Sequence, residues 1–160
     1  MEIIPYNDMY KEPFTEMFTT YFLDDLKVGE EDPRVTPAVI REKISPHILS
    51  CVDSGAVRLD LLLTGGKPTG FSIYQVDSPE SDWNRRPGWG FIREFWIARS
   101  NRRQGLGRAL AAHTELCLRE MGAENIYLTT DEGAAFWAAC GYINTGGRES
   151  NGNLIFEKRV

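Results

Sequence analysis

The sequence predicts a mixed α/β fold built on one sheet. Three features point there: apolar residues alternating with period two in the middle of the chain, apolar residues at helical spacing before and after it, and a glycine-bearing turn, Arg102-Arg103-Gln104-Gly105-Leu106-Gly107, between a strand and a helix. Strands joined by a tight turn pair antiparallel, whereas strands joined through a helix run parallel.

Each element follows from local chemistry. Ile3 to Tyr6 is a short strand. Pro13 suits an early helical position, and Phe14, Met17, Phe18 and Tyr21 then recur at spacings of three and four. Thr36-Pro37 reads as a cap and first helical residue, with Ile40 and Ile44 on one side. Ser45-Pro46 repeats the signal, so a break is expected there. From Val57 the period becomes two: Val57, Leu59, Leu61 and Leu63 alternate with polar residues. Gly65-Gly66-Lys67-Pro68 turns the chain into a second strand, Gly70 to Val76. Asp77 to Gly88 is a candidate functional loop. Trp89 to Ile97 is the next strand, followed by the glycine turn and an amphipathic helix, Leu106 to Met121. Ile126 to Thr130 is a strand and Glu132 to Cys140 a helix ended by Gly141. Tyr142 to Thr145 and Leu154 to Lys158 close the chain as a hairpin. The order is β-α-α-β-β-β-α-β-α-β-β, over one domain spanning residues 1–160.

Composition narrows the function. The 160 residues are 42% hydrophobic and 26% charged, as in an ordinary globular domain. No apolar run is long enough for a membrane span, and Met1-Glu2-Ile3-Ile4-Pro5 lacks the basic and apolar regions of a signal peptide, so a cytoplasmic protein with no membrane partner is expected. The net charge of −5 argues against nucleic acid. Cys51, Cys117 and Cys140 are widely spaced and odd in number, which disfavours a disulfide framework or a Cys-x-x-Cys metal site. His47 reads as a surface or cleft residue. His113 falls on the apolar face of its helix with Leu106, Leu110 and Cys117, as a hydrogen-bonded core histidine. With no His-x-x-x-His, no metal is expected, and the lack of Gly-x-Ser-x-Gly disfavours a serine hydrolase.

The glycine turn carries the chemistry. A strand–turn–helix junction leaves N–H groups unpaired at the positive end of the helix dipole, a site for an anion such as phosphate. Gly105 and Gly107 lack a Cβ, so ligand oxygens can approach the main chain. The string is not a P-loop, and Leu110 stands where the third glycine of a dinucleotide fingerprint belongs. The remaining pattern, Arg-x-x-Gly-x-Gly, resembles the acyl-CoA pyrophosphate loop of the GNAT N-acetyltransferases. A second segment, Ala134-Ala135-Phe136-Trp137-Ala138-Ala139-Cys140-Gly141-Tyr142, resembles that family's Phe-Tyr-x-x-x-Gly-Phe helix, and Glu94-Phe95-Trp96-Ile97 resembles its Glu-Leu-Tyr-Val strand.

The resemblance implies the GNAT acyl-CoA N-acyltransferase fold and acetyl-CoA as co-substrate. It implies that the pyrophosphate rests on Arg102, Arg103, Gln104, Gly105, Leu106, Gly107 and Arg108, and that the pantetheine arm runs along Phe95, Trp96 and Ile97 with Thr130, Phe136 and Trp137 nearby. The acceptor is then the primary amine of a small molecule or peptide, attacking directly in a ternary complex. Glu94 is the first choice for the base, placed by strand alternation on one face with Ile92 and Trp96. The family's thiolate-protonating tyrosine is replaced by Trp137, and an asparagine contacting pantetheine by Thr130. Tyr142, Tyr127 or solvent then stands in as the acid. The competing expectation is a catalytically weak GNAT-fold module that binds CoA or another protein. Trp83, Trp89, Asp77, Glu80 and Asp82 in the long loop are candidates to receive a cationic or aromatic amine. Leu154 to Lys158 is a candidate edge strand for a homodimer.

Overall fold

A computed structural model describes residues 1–160. Seven strands form one sheet: β1 (Glu2–Pro5), β2 (Arg58–Thr64), β3 (Lys67–Val76), β4 (Gly90–Ile97), β5 (Asn125–Thr130), β6 (Ile143–Arg148) and β7 (Leu154–Arg159). Their order is β1-β2-β3-β4-β5-β7-β6, antiparallel except for the parallel pair β4–β5. β7 therefore lies inside the sheet between β5 and β6. The expectation that Leu154 to Lys158 is the edge is overturned: the chain overshoots after β5, and the exposed strand β6 takes the edge, with Ile143 73% exposed.

Two helical layers cover the sheet. On one face, α1 (Lys11–Thr20), α2 (Val28–Glu31), α3 (Pro37–Val39) and α4 (Ser45–Asp53) accompany a core of Phe14, Phe18, Tyr21, Ile40, Leu49, Leu59, Leu61, Phe71, Ile73 and Trp96. On the other face, α5 (Leu106–Glu120) and α6 (Ala134–Ala139) pack over Tyr74, Ile92, Ile126, Leu128 and Phe156. The apolar stripe Phe14, Met17, Phe18, Tyr21 is the buried side of α1. No helix is long and apolar enough to cross a membrane.

The expected break at Ser45-Pro46 is a change of helical pitch. Thr36 caps the helix by accepting from Val39 N. The chain then passes through a π-helical turn, Ile40–Ile44, in which Ser45 N reaches Ile40 O, and continues as α4. Pro46 has no N–H for the next rung, so the added residue in this turn lets the helix run on. A second π turn, Tyr21–Asp25, extends α1. It orients Tyr21 and Asp25 toward the sheet.

Candidate active site

β4 builds the site through two departures from regularity. The first is its splay from β5: pairing between them is confined to Gly90↔Ile126 and Phe91↔Tyr127, so beyond Phe91 the parallel neighbours separate. Ala98 N donates to Thr69 O at 2.8 Å on the β3 side. By strand alternation the main-chain groups of Phe95 and Ile97 therefore point into the gap.

The second is a bulge. Ile73 pairs with Glu94 but Tyr74 pairs with Ile92, leaving Arg93 as the extra residue. This corrects the predicted facing. Glu94 shares a face with Trp96, but Ile92 packs on the opposite face beside Ala111 and Leu118. Simple alternation fails because the bulge spends one residue without crossing the sheet.

Glu94 is half-buried and accepts a hydrogen bond from the Tyr21 hydroxyl. Burial pushes its carboxyl up to about 7, against the Tyr21 hydrogen bond and the Arg93 charge, which both pull it down. Burial and the neighbouring Glu94 charge hold the Tyr21 phenol well above its usual value. Arg93 is turned toward the long loop, donating to Gln75 Oε1 at 3.2 Å and Asp82 Oδ1 at 2.9 Å.

At the other end of β4 the glycine turn folds as its residues demand. Arg103 (φ 65°) and Gly105 (φ 80°) adopt left-handed backbone, and α5 begins at Leu106. The main-chain N–H groups of Arg103, Gln104, Gly105, Leu106, Gly107 and Arg108 make no hydrogen bond within the chain. A Cβ on Gly107 would stand 3.1 Å from the Phe136 ring, so glycine there lets α5 lie against α6. Arg103 and Arg108 are exposed, with no ion pair inside the chain. Arg102 differs: its Nε donates to Ile97 O at 2.8 Å and its Nη2 to Asp25 Oδ2 at 2.8 Å. Gln104 uses its side chain on Ser100 O at 3.1 Å. These two side chains shape the turn and leave its N–H groups unpaired.

Asp25 ties this turn to the first helix. It accepts from Trp96 Nε1, Arg99 and Arg102. Burial alone would raise its pKa, but these hydrogen bonds and the Arg102 charge hold it below the usual range. Nothing local marks this carboxylate, because its partners lie more than seventy positions away.

The remaining predicted residues lie on the α5 side. Phe95, Phe136 and Trp137 form an aromatic cluster with centroids 4.9–5.7 Å apart. Thr130 Oγ1 accepts from Gly133 N at 2.9 Å and caps the turn into α6. Tyr142 packs on Trp137, 5.2 Å between centroids, and is 3% exposed. Its hydroxyl has no hydrogen-bond partner, and burial with the Glu115 charge nearby raises its pKa. The structure thus puts Glu94, Phe95 and the turn on or beside β4, with Glu94 facing Tyr21 and Phe95 facing α6, and sets Tyr142 in the core. Tyr127 lies on the face of Phe91, its hydroxyl donating to Asp77 and accepting from Trp83 Nε1.

The long loop is less open than its composition suggests. Asp77, 1% exposed, accepts from Tyr127, from Gln75 Nε2 and from the main-chain N–H groups of Arg85 and Arg86. The Trp83 ring is covered by Arg85 at 4.7 Å and Trp89 by Arg86 at 4.8 Å. The chain's own guanidinium groups occupy the ring faces expected to receive a cationic amine. His113 is the hydrogen-bonded histidine expected, with Nε2 2.8 Å from Asp60 Oδ2.

A seven-stranded mixed sheet that splays between its two parallel strands, above a turn of free N–H groups, offers a cleft with an anion site at its mouth. The acetyltransferase (GNAT) family matches residues 6–142, and the chain belongs to that family. No curated protein gives a significant sequence match. Among solved structures, the ribosomal-protein-alanine N-acetyltransferase from Brucella melitensis is similar at 15% identity and TM-score 0.77, covering 100% of both chains. The PaiA N-acetyltransferase from Thermoplasma acidophilum, in complex with coenzyme A, is similar at 13% identity and TM-score 0.75, covering 99% of this chain and 98% of that one. An aminoglycoside 6'-N-acetyltransferase complexed with coenzyme A is 13% identical with TM-score 0.72, covering 99% and 97%. At these identities the likeness is one of fold.

Proposed function

We propose that this chain is an acetyl-CoA-dependent N-acetyltransferase that acetylates a primary amine of a small molecule or peptide by direct attack in a ternary complex. The observation that carries this reading is the placement of Glu94, half-buried with its carboxyl near 7, on the strand whose Phe95 main chain and Ile97 N–H line the β4–β5 gap. The run of unpaired N–H groups from Arg103 to Arg108 fits a pyrophosphate, with the exposed Arg103 and Arg108 adding charge. The solved relatives that hold coenzyme A, and those named for ribosomal-protein and aminoglycoside acceptors, support the donor and the amine class.

Bound acetyl-CoA supplies an activated thioester. The main chain of Phe95 and Ile97 pairs with the pantetheine arm, and an N–H there polarises the thioester carbonyl and stabilises the charge that develops on its oxygen. Phe95, Phe136 and Trp137 form one apolar wall and exclude water. Glu94 takes the proton from the acceptor ammonium, directly or through one water, and frees the lone pair for attack. With Tyr142 buried, the departing thiolate leaves with solvent as the acid.

The test is calorimetry with acetyl-CoA and with free CoA, followed by an amine screen comparing wild type with Glu94→Gln. Binding together with turnover that collapses in Glu94→Gln supports the reading. Binding without turnover on any amine would favour a CoA-holding module, the alternative that tryptophan at position 137 favours. A folded protein that binds neither ligand would refute the donor assignment.

A further inference from the structure

Two His-x-x-x-Cys pairs occur in this chain, His47/Cys51 on α4 and His113/Cys117 on α5, and each faces an aspartate from another segment. A spacing of four places both side chains on one helix face. In each set the ligand atoms lie within 4.8 Å of one another. The search for His-x-x-x-His passes over such pairs because cysteine supplies the second donor.

The two sets differ in a way that separates a hydrogen-bond network from an ion site. Around His113 the polar atoms have closed on one another. His113 Nε2 is 2.8 Å from Asp60 Oδ2, which also accepts from Tyr74 Oη at 2.6 Å. A proton bridges such distances, and an ion would have to push the groups apart. Around His47 the atoms stand off. Its Nε2 is 3.8 Å from Asp82 Oδ2, beyond hydrogen-bond reach, and 3.8 Å from Cys51 Sγ, the outer limit of a thiol contact. A tetrahedral zinc ion with bonds of ~2.0–2.3 Å holds its donor atoms ~3.3–3.6 Å apart. Shifts of a few tenths of an ångström bring His47 to that spacing from both neighbours, and Cys51 and Asp82, within 4.8 Å of each other, close on the same point.

The surroundings suit a bound ion. Asp82 Oδ1 is held by Arg93 at 2.9 Å, which leaves Oδ2 directed at His47 and fixes the carboxylate as outer hydrogen bonds fix metal ligands. Arg93 also reaches Asp82 Oδ2, at 3.5 Å, a contact that an ion would replace. The His47 and Asp82 side chains are 62% and 41% exposed, so an ion can enter and water can complete the coordination. Cys51 is a free thiol. Imidazole, thiolate and one carboxylate select a zinc-class ion over magnesium or calcium, which take oxygen ligands.

We propose that His47, Cys51 and Asp82 bind a zinc-class divalent ion, with loss of the Cys51 thiol proton, and that this ion fastens the Asp77–Gly88 loop to α4. Arg93, the neighbour of Glu94 on β4, is one residue through which the closed loop meets the strand of the β4–β5 gap, beside the Trp83–Phe91 stack. The site does not depend on the transferase reading.

The test uses cobalt(II) as a spectroscopic probe on the intact reduced chain. One equivalent should give a thiolate-to-cobalt charge-transfer band and the visible bands of a tetrahedral ion, displaced by zinc. Cys51→Ser should remove the charge-transfer band, and His47→Ala or Asp82→Asn should weaken affinity at least ~10-fold. Cys117→Ser and His113→Gln should leave the spectrum unchanged. No thiolate band, or a band that follows Cys117 or Cys140, would overturn the site. A band lost in Cys51→Ser but indifferent to Asp82→Asn would overturn the fastening of the loop. Circular dichroism of each variant separates loss of ligand from loss of fold.

Discussion

Tyr21, the first residue of a π-helical turn, donates its hydroxyl to Glu94, the residue that follows the bulge in β4. Two local irregularities are thus matched across the sheet. The bulge turns Glu94 toward the first helical layer, and the π turn brings Tyr21 to meet it. The hydrogen bond favours the carboxylate, whereas burial disfavours it. If Glu94 is the base, kcat/KM should rise with pH through an acidic limb near 7 and then level. Tyr21→Phe removes a stabiliser of the charged form, so the limb should move to higher pH. A hydrogen bond to a charged group contributes ~1.5 kcal/mol or more, so the move should be about one pH unit. A limb that stays in place in Tyr21→Phe would show that another group titrates.

Glu94 should also cost the fold stability. Its folded pKa is raised, so the native state holds a proton that the unfolded chain has released, and native stability falls as pH rises from the unfolded carboxyl value through about 7. Glu94→Gln keeps an acceptor for Tyr21 and removes that term. The variant should melt higher than wild type at pH 8 and show little difference at pH 4. Its kcat should fall by ~10²–10⁴, the usual contribution of a general base. Thermal melts across pH and steady-state kinetics on one preparation check both. A variant that loses activity and melts lower at pH 8 would point to a structural role.

The two glycines of the turn should fail differently. Gly105 has φ 80° and open space where a Cβ would go, so Gly105→Ala should cost about 1 kcal/mol through backbone strain alone. Gly105→Glu adds negative charge among the N–H groups proposed to receive a pyrophosphate, and CoA binding should vanish in a folded protein. Gly107 has ordinary φ, but a Cβ would press on Phe136 at 3.1 Å. Gly107→Val should therefore lower the melting temperature as well as the affinity. Calorimetry with CoA beside thermal melts separates the two. Normal CoA binding by Gly105→Glu would remove the turn from the site.

The strands, the major helices and the glycine turn were legible because each rests on local pattern: alternation in Leu59 to Leu63, helical spacing in Phe14 to Tyr21, and Arg-x-x-Gly-x-Gly. The resemblance singles out Glu94, but its facing is not legible in the sequence. A bulge is decided by pairing with β3, and nothing in Ile92-Arg93-Glu94 marks an extra residue. The swap that puts β7 between β5 and β6 is equally non-local. Asp77 misled because an aspartate in a long loop with Trp83 and Glu80 reads as a group open to a cationic ligand. Its hydrogen-bond donors are Tyr127, fifty positions on, and main-chain groups that the sequence does not display.

Asp77 gives the remaining test of that reading. It closes the neck of the loop through its main chain, with Asp77 N bonded to Trp89 O at 2.9 Å and Gly88 N to Asp77 O at 2.8 Å. Its buried side chain accepts from Arg85 N at 3.1 Å, Arg86 N at 3.0 Å, Gln75 Nε2 at 3.0 Å and the Tyr127 hydroxyl. Asp77→Ala strips those donors of their acceptor while leaving them partly shielded from water, which should cost ~2–4 kcal/mol. Trp83 stacks on Phe91 at 5.1 Å and Phe91 on Tyr127 at 4.6 Å, so the loosened loop should also free the indole. Amide hydrogen exchange should therefore accelerate across residues 78–88 and spare α5 and β7. Exchange that speeds up uniformly would mean that Asp77 supports the whole fold rather than the loop, and unchanged exchange would mean that the stacked rings hold the loop without the carboxylate.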